Sequence, residues 1–133
     1  MDFWNKIEEI GILNMEIELL VGLEPVLFVC ILEDNPNIKY LVMTYNSAKT
    51  TYVMRRINNE ELLLMLDNKI TMEEAFRNGN EILKTYTLGE DIYVEKYDPS
   101  EFDENMLPKK GVTYNINSQY ILNYKDKLRN QTN

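Results

Sequence analysis

The chain has no histidine among its 133 residues and a single cysteine, Cys30. Histidine alone has an unperturbed pKa near neutrality, and it is the commonest metal ligand. Its absence removes Ser-His, Cys-His and His-metal chemistry together. Catalysis would have to rest on carboxylates, lysine, tyrosine or serine with strongly tuned pKa values, and no pattern in the sequence arranges such a set. One cysteine forms no intramolecular disulfide, whereas small secreted domains usually carry an even set. Cys30 lies in the apolar run from Pro25 to Leu32 and reads as a core residue. The five glycines, Gly11, Gly22, Gly79, Gly89 and Gly111, are scattered over separate turns, so there is no phosphate-binding glycine loop and no dinucleotide fingerprint. A G-x-S-x-G elbow and Cys/His metal spacings are equally missing. No apolar run approaches the roughly 20 residues that span a bilayer. The start, Met1 to Glu9, lacks the basic-then-apolar order of a signal peptide. These absences set the expectation of a cytoplasmic, non-membrane protein that is not an enzyme and carries no cofactor and no metal.

What is present is a foldable composition. Hydrophobic residues make up 44% and aromatic residues 11%, with nine tyrosines, which is too much apolar surface for a disordered chain. The length suits one domain, residues 1–133. Charge is uneven: residues 1–89 carry a net −6, residues 90–108 a further −6, and residues 109–133 a net +4, within an overall −8. Such a chain repels nucleic-acid phosphates at long range, so nucleic-acid binding is not expected, despite Lys109, Lys110, Lys125, Lys127 and Arg129 in the tail.

Phe3, Trp4, Ile7 and Ile10 are spaced by three and four, which predicts a short helix or docking arm over residues 1–10. From there the pattern changes to apolar, β-branched and aromatic runs separated by turn residues. It predicts strands over Leu13 to Leu20, Val26 to Glu33, Lys39 to Asn46 and Thr51 to Ile57. The connections are too short for parallel crossovers, so the arrangement reads as an antiparallel meander. The Val26 to Glu33 strand is apolar on both faces and reads as central, with helix over at least one side. Asn58 with Glu61, and Thr71 with Glu74, have capping-box spacing. They predict helices over Asn59 to Asn68 and Met72 to Asn78, the first ending in a left-handed Asn68. Ile82 to Leu88 and Asp91 to Tyr97 alternate as two strands across Gly89-Glu90, and Val112 to Ile116 reads as a further short edge strand. In the basic tail, residues 117–133, Ile121, Tyr124 and Leu128 share a helical face.

Two features point toward binding. Tyr40, Tyr45, Tyr52, Tyr86, Tyr93 and Tyr97 fall on the predicted strands, and tyrosine presents an apolar ring with a polar tip that suits a protein interface. The acidic stretch Glu90, Asp91, Glu95, Asp98, Glu101, Asp103 and Glu104 follows directly. It lacks the glycine and terminal bidentate glutamate of a calcium loop and reads as a solvated face. The candidate binding residues are Tyr86, Tyr93, Tyr97, Asp98, Glu101, Asp103 and Glu104.

The order of pieces from Gly11 to Tyr114 resembles a family of uncharacterised small bacterial α+β domains. The resemblance is carried by Pro25-Val26-Leu27-Phe28-Val29-Cys30, Lys39-Tyr40-Leu41-Val42, Glu60-Glu61-Leu62-Leu63, Met72 to Asn78, and Met106-Leu107-Pro108-Lys109-Lys110-Gly111. It implies an α+β order and no assigned activity. The expected fold is therefore α+β: a mainly antiparallel sheet of five to seven strands with a helix pair packed on one face. The expected function is a non-enzymatic protein-protein interaction module, an accessory or immunity-like subunit of a bacterial or phage conflict system. The alternative is an acidic phage-encoded inhibitor that occupies a basic nucleic-acid channel of a host defence protein.

Overall fold

The structure is a computed structural model describing residues 6–7, 10–22, 25–46, 51–89 and 91–131. Six long strands form an antiparallel meander: β2 (Gly11–Val21), β3 (Pro25–Leu32), β4 (Asn35–Asn46), β5 (Thr51–Ile57), β6 (Ile82–Leu88) and β7 (Asp91–Tyr97). A two-residue strand, β1 (Lys6–Ile7), pairs with the start of β2. Helices α1 (Asn59–Leu66) and α2 (Met72–Arg77) are inserted between β5 and β6, and α3 (Gln119–Gln131) closes the described chain. The fold is thus α+β, with α1 and α2 on one face of the sheet and α3 beside α1.

Local chemistry accounts for the element boundaries. Asn58 and Thr71 each accept a hydrogen bond from the backbone N–H three residues on, while Glu61 and Glu74 reach back to the cap backbone, so two free donors are satisfied at each helix start. Asn68 takes a left-handed φ of 62° beyond the end of α1, as a short polar side chain permits. Within the predicted helix or docking arm over residues 1–10, Lys6–Ile7 is a strand paired with Gly11 and Ile12, and Gly11 holds a φ of +111° that suits glycine; residues 1–5, Phe3 and Trp4 among them, and residues 8–9 lie outside the described residues. The predicted strand over Val112 to Ile116 is corrected. The segment joins no ladder, because Asn115 adopts φ 54° and donates its N–H to Asn68 Oδ1, while Tyr114 turns inward and donates its hydroxyl to the Leu19 carbonyl.

Both faces of the sheet are buried, each by different means. On one face Ile17, Leu27, Val29, Leu41, Val53, Ile57 and Ile82 pack against Leu62, Met65, Leu66, Phe76, Ile121, Tyr124 and Leu128 of the helices. The opposite face carries a second core of Leu13, Phe28, Cys30, Val42, Met54 and Leu83, to which no helix among the described residues contributes. The sheet encloses this core by curling until β1 stands beside β7. Ile10 and Met15 from one end of the meander then meet the same core as Ile92 and Val94 from the other.

A β-bulge makes that geometry possible. Met15 pairs with Cys30 and Ile17 with Val29, leaving Glu16 as an extra residue on β2. Leu13 and Met15 consequently face the curled core, whereas Ile17 and Leu19 face the helices. Bulges bend a strand and increase its twist. The displaced Glu16 carboxylate meets Lys39 Nζ at 2.9 Å in a largely buried pair. Above it Tyr124 stacks on the Lys39 ammonium. Burial, helped by Glu16, pushes the Tyr124 hydroxyl well above the usual phenol range. That hydroxyl sits beside Glu16 without an aligned hydrogen bond.

Candidate interaction surface

In an antiparallel meander, alternate connections fall at the same end. The β2–β3, β4–β5 and β6–β7 turns lie at one end of the sheet, while the β3–β4 turn and the α1–α2 insertion lie at the other. The helices cover the end from which they emerge, joined by Phe102, Leu107 and Tyr114 from the segment after β7, and among the described residues no helix reaches the hairpin end of that face. That open end holds exposed apolar side chains: Val21 (60% exposed), Leu88 (61%), Tyr45 (48%) and Tyr93 (43%), with Val26 beside them.

Tyr86 and Tyr93 are directly opposed across β6 and β7. Their rings stack at 5.6 Å between centroids and 22° between planes. The pair lies on the helix-bearing face, because Ile82 and Tyr97 share its side of the ladder and Ile82 enters the helix-side core. Lys84 Nζ reaches over the Tyr86 ring at 6.0 Å and approaches Glu95 at 3.9 Å. An open groove of about 430 Å³ runs beside the pair, lined by Thr51, Lys84, Tyr86, Thr87, Leu88 and Glu95. An amphipathic ring pair beside an apolar groove, rimmed by one cation and one anion, matches the composition of interface cores.

The other predicted residues lie elsewhere and are engaged differently. Tyr97 is four residues along β7 from Tyr93, about 13 Å away at the strand rise. It packs edge-on against Phe102 at 5.2 Å and donates its hydroxyl to Glu95 Oε1, an interaction that raises its pKa. Asp98 accepts from the Ser100 N–H and hydroxyl, which hold its carboxyl below the usual range. Asp103 caps the short 3₁₀ turn Glu104–Met106. Arg77 fastens this loop to α2 by donating to the Pro99 and Phe102 carbonyls. Of the four predicted acidic residues, Asp98 and Asp103 therefore build the loop, while Glu101 and Glu104 project from it into solvent.

The structure brings Tyr86 and Tyr93 together, joins Tyr97 to the rim of their groove only through Glu95, and sets the acidic loop apart from them. Sequence reasoning named Tyr45 only among the strand tyrosines and missed Leu88, Val21 and Val26. The signal that would have found them is the connectivity itself, since each lies within two residues of a turn at the same sheet end. Among the described residues no three acidic or cysteine side chains converge closely enough to hold a metal ion, and no helix is long and apolar enough to cross a membrane. No protein-family model, no curated protein and no solved structure matches this chain.

Proposed function

We propose that this protein is a non-enzymatic interaction module that engages a protein partner through the hairpin end of its sheet, centred on Tyr86, Leu88 and Tyr93. The observation that carries the reading is the stacked, half-exposed tyrosine pair beside an apolar groove on a face covered elsewhere by the helices and by the segment after β7. Rigid aromatic anchors next to an apolar pocket are the usual centre of a binding hot spot. A small acidic binder of this kind suits an accessory or immunity-like subunit of a bacterial or phage conflict system. The exposed Glu101 and Glu104 support the second reading, an acidic inhibitor of a basic nucleic-acid channel, through a different surface.

The test is affinity capture by the tagged protein from host lysate at low and high salt, repeated with Y86A/Y93A and with E101Q/E104Q. Asp98 and Asp103 are left intact because both hold the loop. A stoichiometric protein that survives high salt and is lost with Y86A/Y93A supports the interaction module. A partner lost at high salt and with E101Q/E104Q replaces it with the inhibitor, since contacts between exposed charges are screened. Equal capture by both variants and by the parent chain refutes both sites.

A further inference from the structure

The helix end of the sheet carries two adjoining polar clefts that share Asn37 and Asn58. One, of about 570 Å³, is lined by Asn37, Arg55, Arg56, Asn58, Asn78, Gly79, Asn80 and Glu81 among others. The other, of about 500 Å³, adds Lys39, Asn59, Glu60 and Gln131 from the end of α3. Together they form an open trench in which six side chains are carboxamides: Asn37, Asn58, Asn59, Asn78, Asn80 and Gln131. Two of the three cations in it are already neutralised: Arg55 is held by Glu61 and Lys39 by Glu16. The third, Arg56, is exposed and lies across from Tyr40, and the two linings also contain the carboxylates Glu60 and Glu81.

A carboxamide offers an acceptor oxygen and two N–H donors, the same complement that a peptide unit presents in reverse. A lining of carboxamides whose remaining charges, Arg56, Glu60 and Glu81, are of both signs does not favour an anion or a cation. It matches a ligand that is uncharged, elongated and rich in alternating donors and acceptors. We infer that this trench binds the main chain of an extended, uncharged peptide segment. The site is at the opposite end of the sheet from the tyrosine pair and shares no residue with it, so either assignment stands if the other falls. Asn58 spends its Oδ1 on the α1 cap, which leaves its amide N–H groups for the ligand. Asn37 and Asn80 are exposed side chains outside both caps and are the ones to substitute.

The experiment is a titration of the full, isotope-labelled chain with acetylated and amidated decapeptides of mixed uncharged sequence, followed by NMR on the Asn side-chain NH₂ groups and the Gly79 amide. N37A and N80A are titrated in parallel, and a neutral oligosaccharide serves as the competing polar ligand. The expected result is a saturable shift at Asn37, Asn80 and Gly79, with affinity lowered about fivefold by each substitution, the usual effect of one lost neutral hydrogen bond. The inference is overturned by any of three results. These are no saturable shift at millimolar peptide, equal or stronger response to the saccharide, or a response unchanged in N37A and N80A. Spectra of the variants without ligand show directly that their fold is retained.

Discussion

Gly79 is followed closely by a buried guanidinium, and a single methyl group there tests how the helix pair is held to the sheet. A Cβ built on Gly79 would lie 2.8 Å from Arg55 Nε and 2.9 Å from its Cζ, closer than carbon and nitrogen atoms approach without repulsion. An arginine ordinarily swings aside at little cost. Arg55 is only 4% exposed, and its guanidinium donates to the Arg56 carbonyl at 2.7 Å, to the Ala75 carbonyl at 3.0 Å and to both oxygens of Glu61 at 2.9 Å. It joins β5, the start of α1 and the end of α2, so displacing it loosens all three. Losing one charged hydrogen bond costs about 1.5–3 kcal/mol. Alanine returns about 0.4–1 kcal/mol by restricting the unfolded chain, because Gly79 does not occupy the left-handed region. G79A should therefore destabilise by about 1–2 kcal/mol net.

Urea unfolding measures this as a lower midpoint at unchanged slope. The decisive arm is R55V, which removes every atom that the new methyl meets. In that background G79A should become neutral or mildly stabilising, a coupling of about 2 kcal/mol between two residues in contact. If R55V proves too unstable to titrate, the Arg55 Nε–H resonance in G79A alone reports the same displacement through its shift and faster exchange. An unchanged or raised midpoint for G79A, or the same loss in both backgrounds, would refute the guanidinium as the cause.

Three further outcomes follow from buried and paired groups. K39M leaves Glu16 buried without its ion-pair partner and should cost about 3 kcal/mol in urea unfolding, whereas the double variant E16L/K39M should recover more than half of that; equal losses would show that the pair is not the relevant unit. Partial burial raises the Asp67 carboxyl, but Lys125 and Arg129 together outweigh it and hold the pKa below the usual 3.8. The resulting stability is present above 3.8 and disappears as pH falls through the lower folded value, so D67N should flatten the acid limb of a stability-against-pH curve, and a parallel limb would contradict the pairing. Cys30 is fully buried, and burial, aided by Glu16, pushes its thiol to about 12; it should resist an aromatic disulfide reagent at pH 8 in the native state and react fully in urea, and rapid native labelling would place it elsewhere.

The elements that were legible in the sequence are those whose signals are local. Both capping boxes are four-residue patterns, and β5, β6 and β7 match their predicted spans because each alternates cleanly between turn residues. The misreadings arise where spacing is degenerate. Ile7 and Ile10 suit a helical face, yet Lys6–Ile7 pairs with Gly11 and Ile12 as a strand, and Ile10 packs against the curled core. Tyr114 and Ile116 alternate like a strand because both pack inward, without any ladder to join. Leu13, Met15, Ile17 and Leu19 are the most instructive set. They alternate without a break and would share one face in a regular strand, whereas the bulge at Glu16 divides them between two cores. Nothing in the period of the sequence marks that bulge. Glu16 and Glu18 both fall within the apolar series, and only the pairing of Glu16 with Lys39, 23 positions away, distinguishes the first.

The same curling explains why the sequence points to the tyrosines as candidates but does not show their arrangement. A flat meander with helices on one side would leave the whole opposite face for a partner, and Tyr40 and Tyr52 would belong to that surface. In the curled sheet both pack against the enclosed core, with Tyr52 edge-on to Phe28. Once one face is under helices and the other is folded inward, extended surface remains mainly at the two ends of the sheet. These ends differ chemically because their connections differ. Short hairpins bring apolar strand termini and the Tyr86–Tyr93 stack to one end. Helix caps and the chain reversals around them bring asparagines to the other, since asparagine is favoured where a side chain must satisfy backbone groups at a helix start. The division into an apolar aromatic end and a neutral carboxamide end is thus a consequence of topology acting on ordinary capping chemistry, and it places the two candidate surfaces where a partner can reach both without competing for either core.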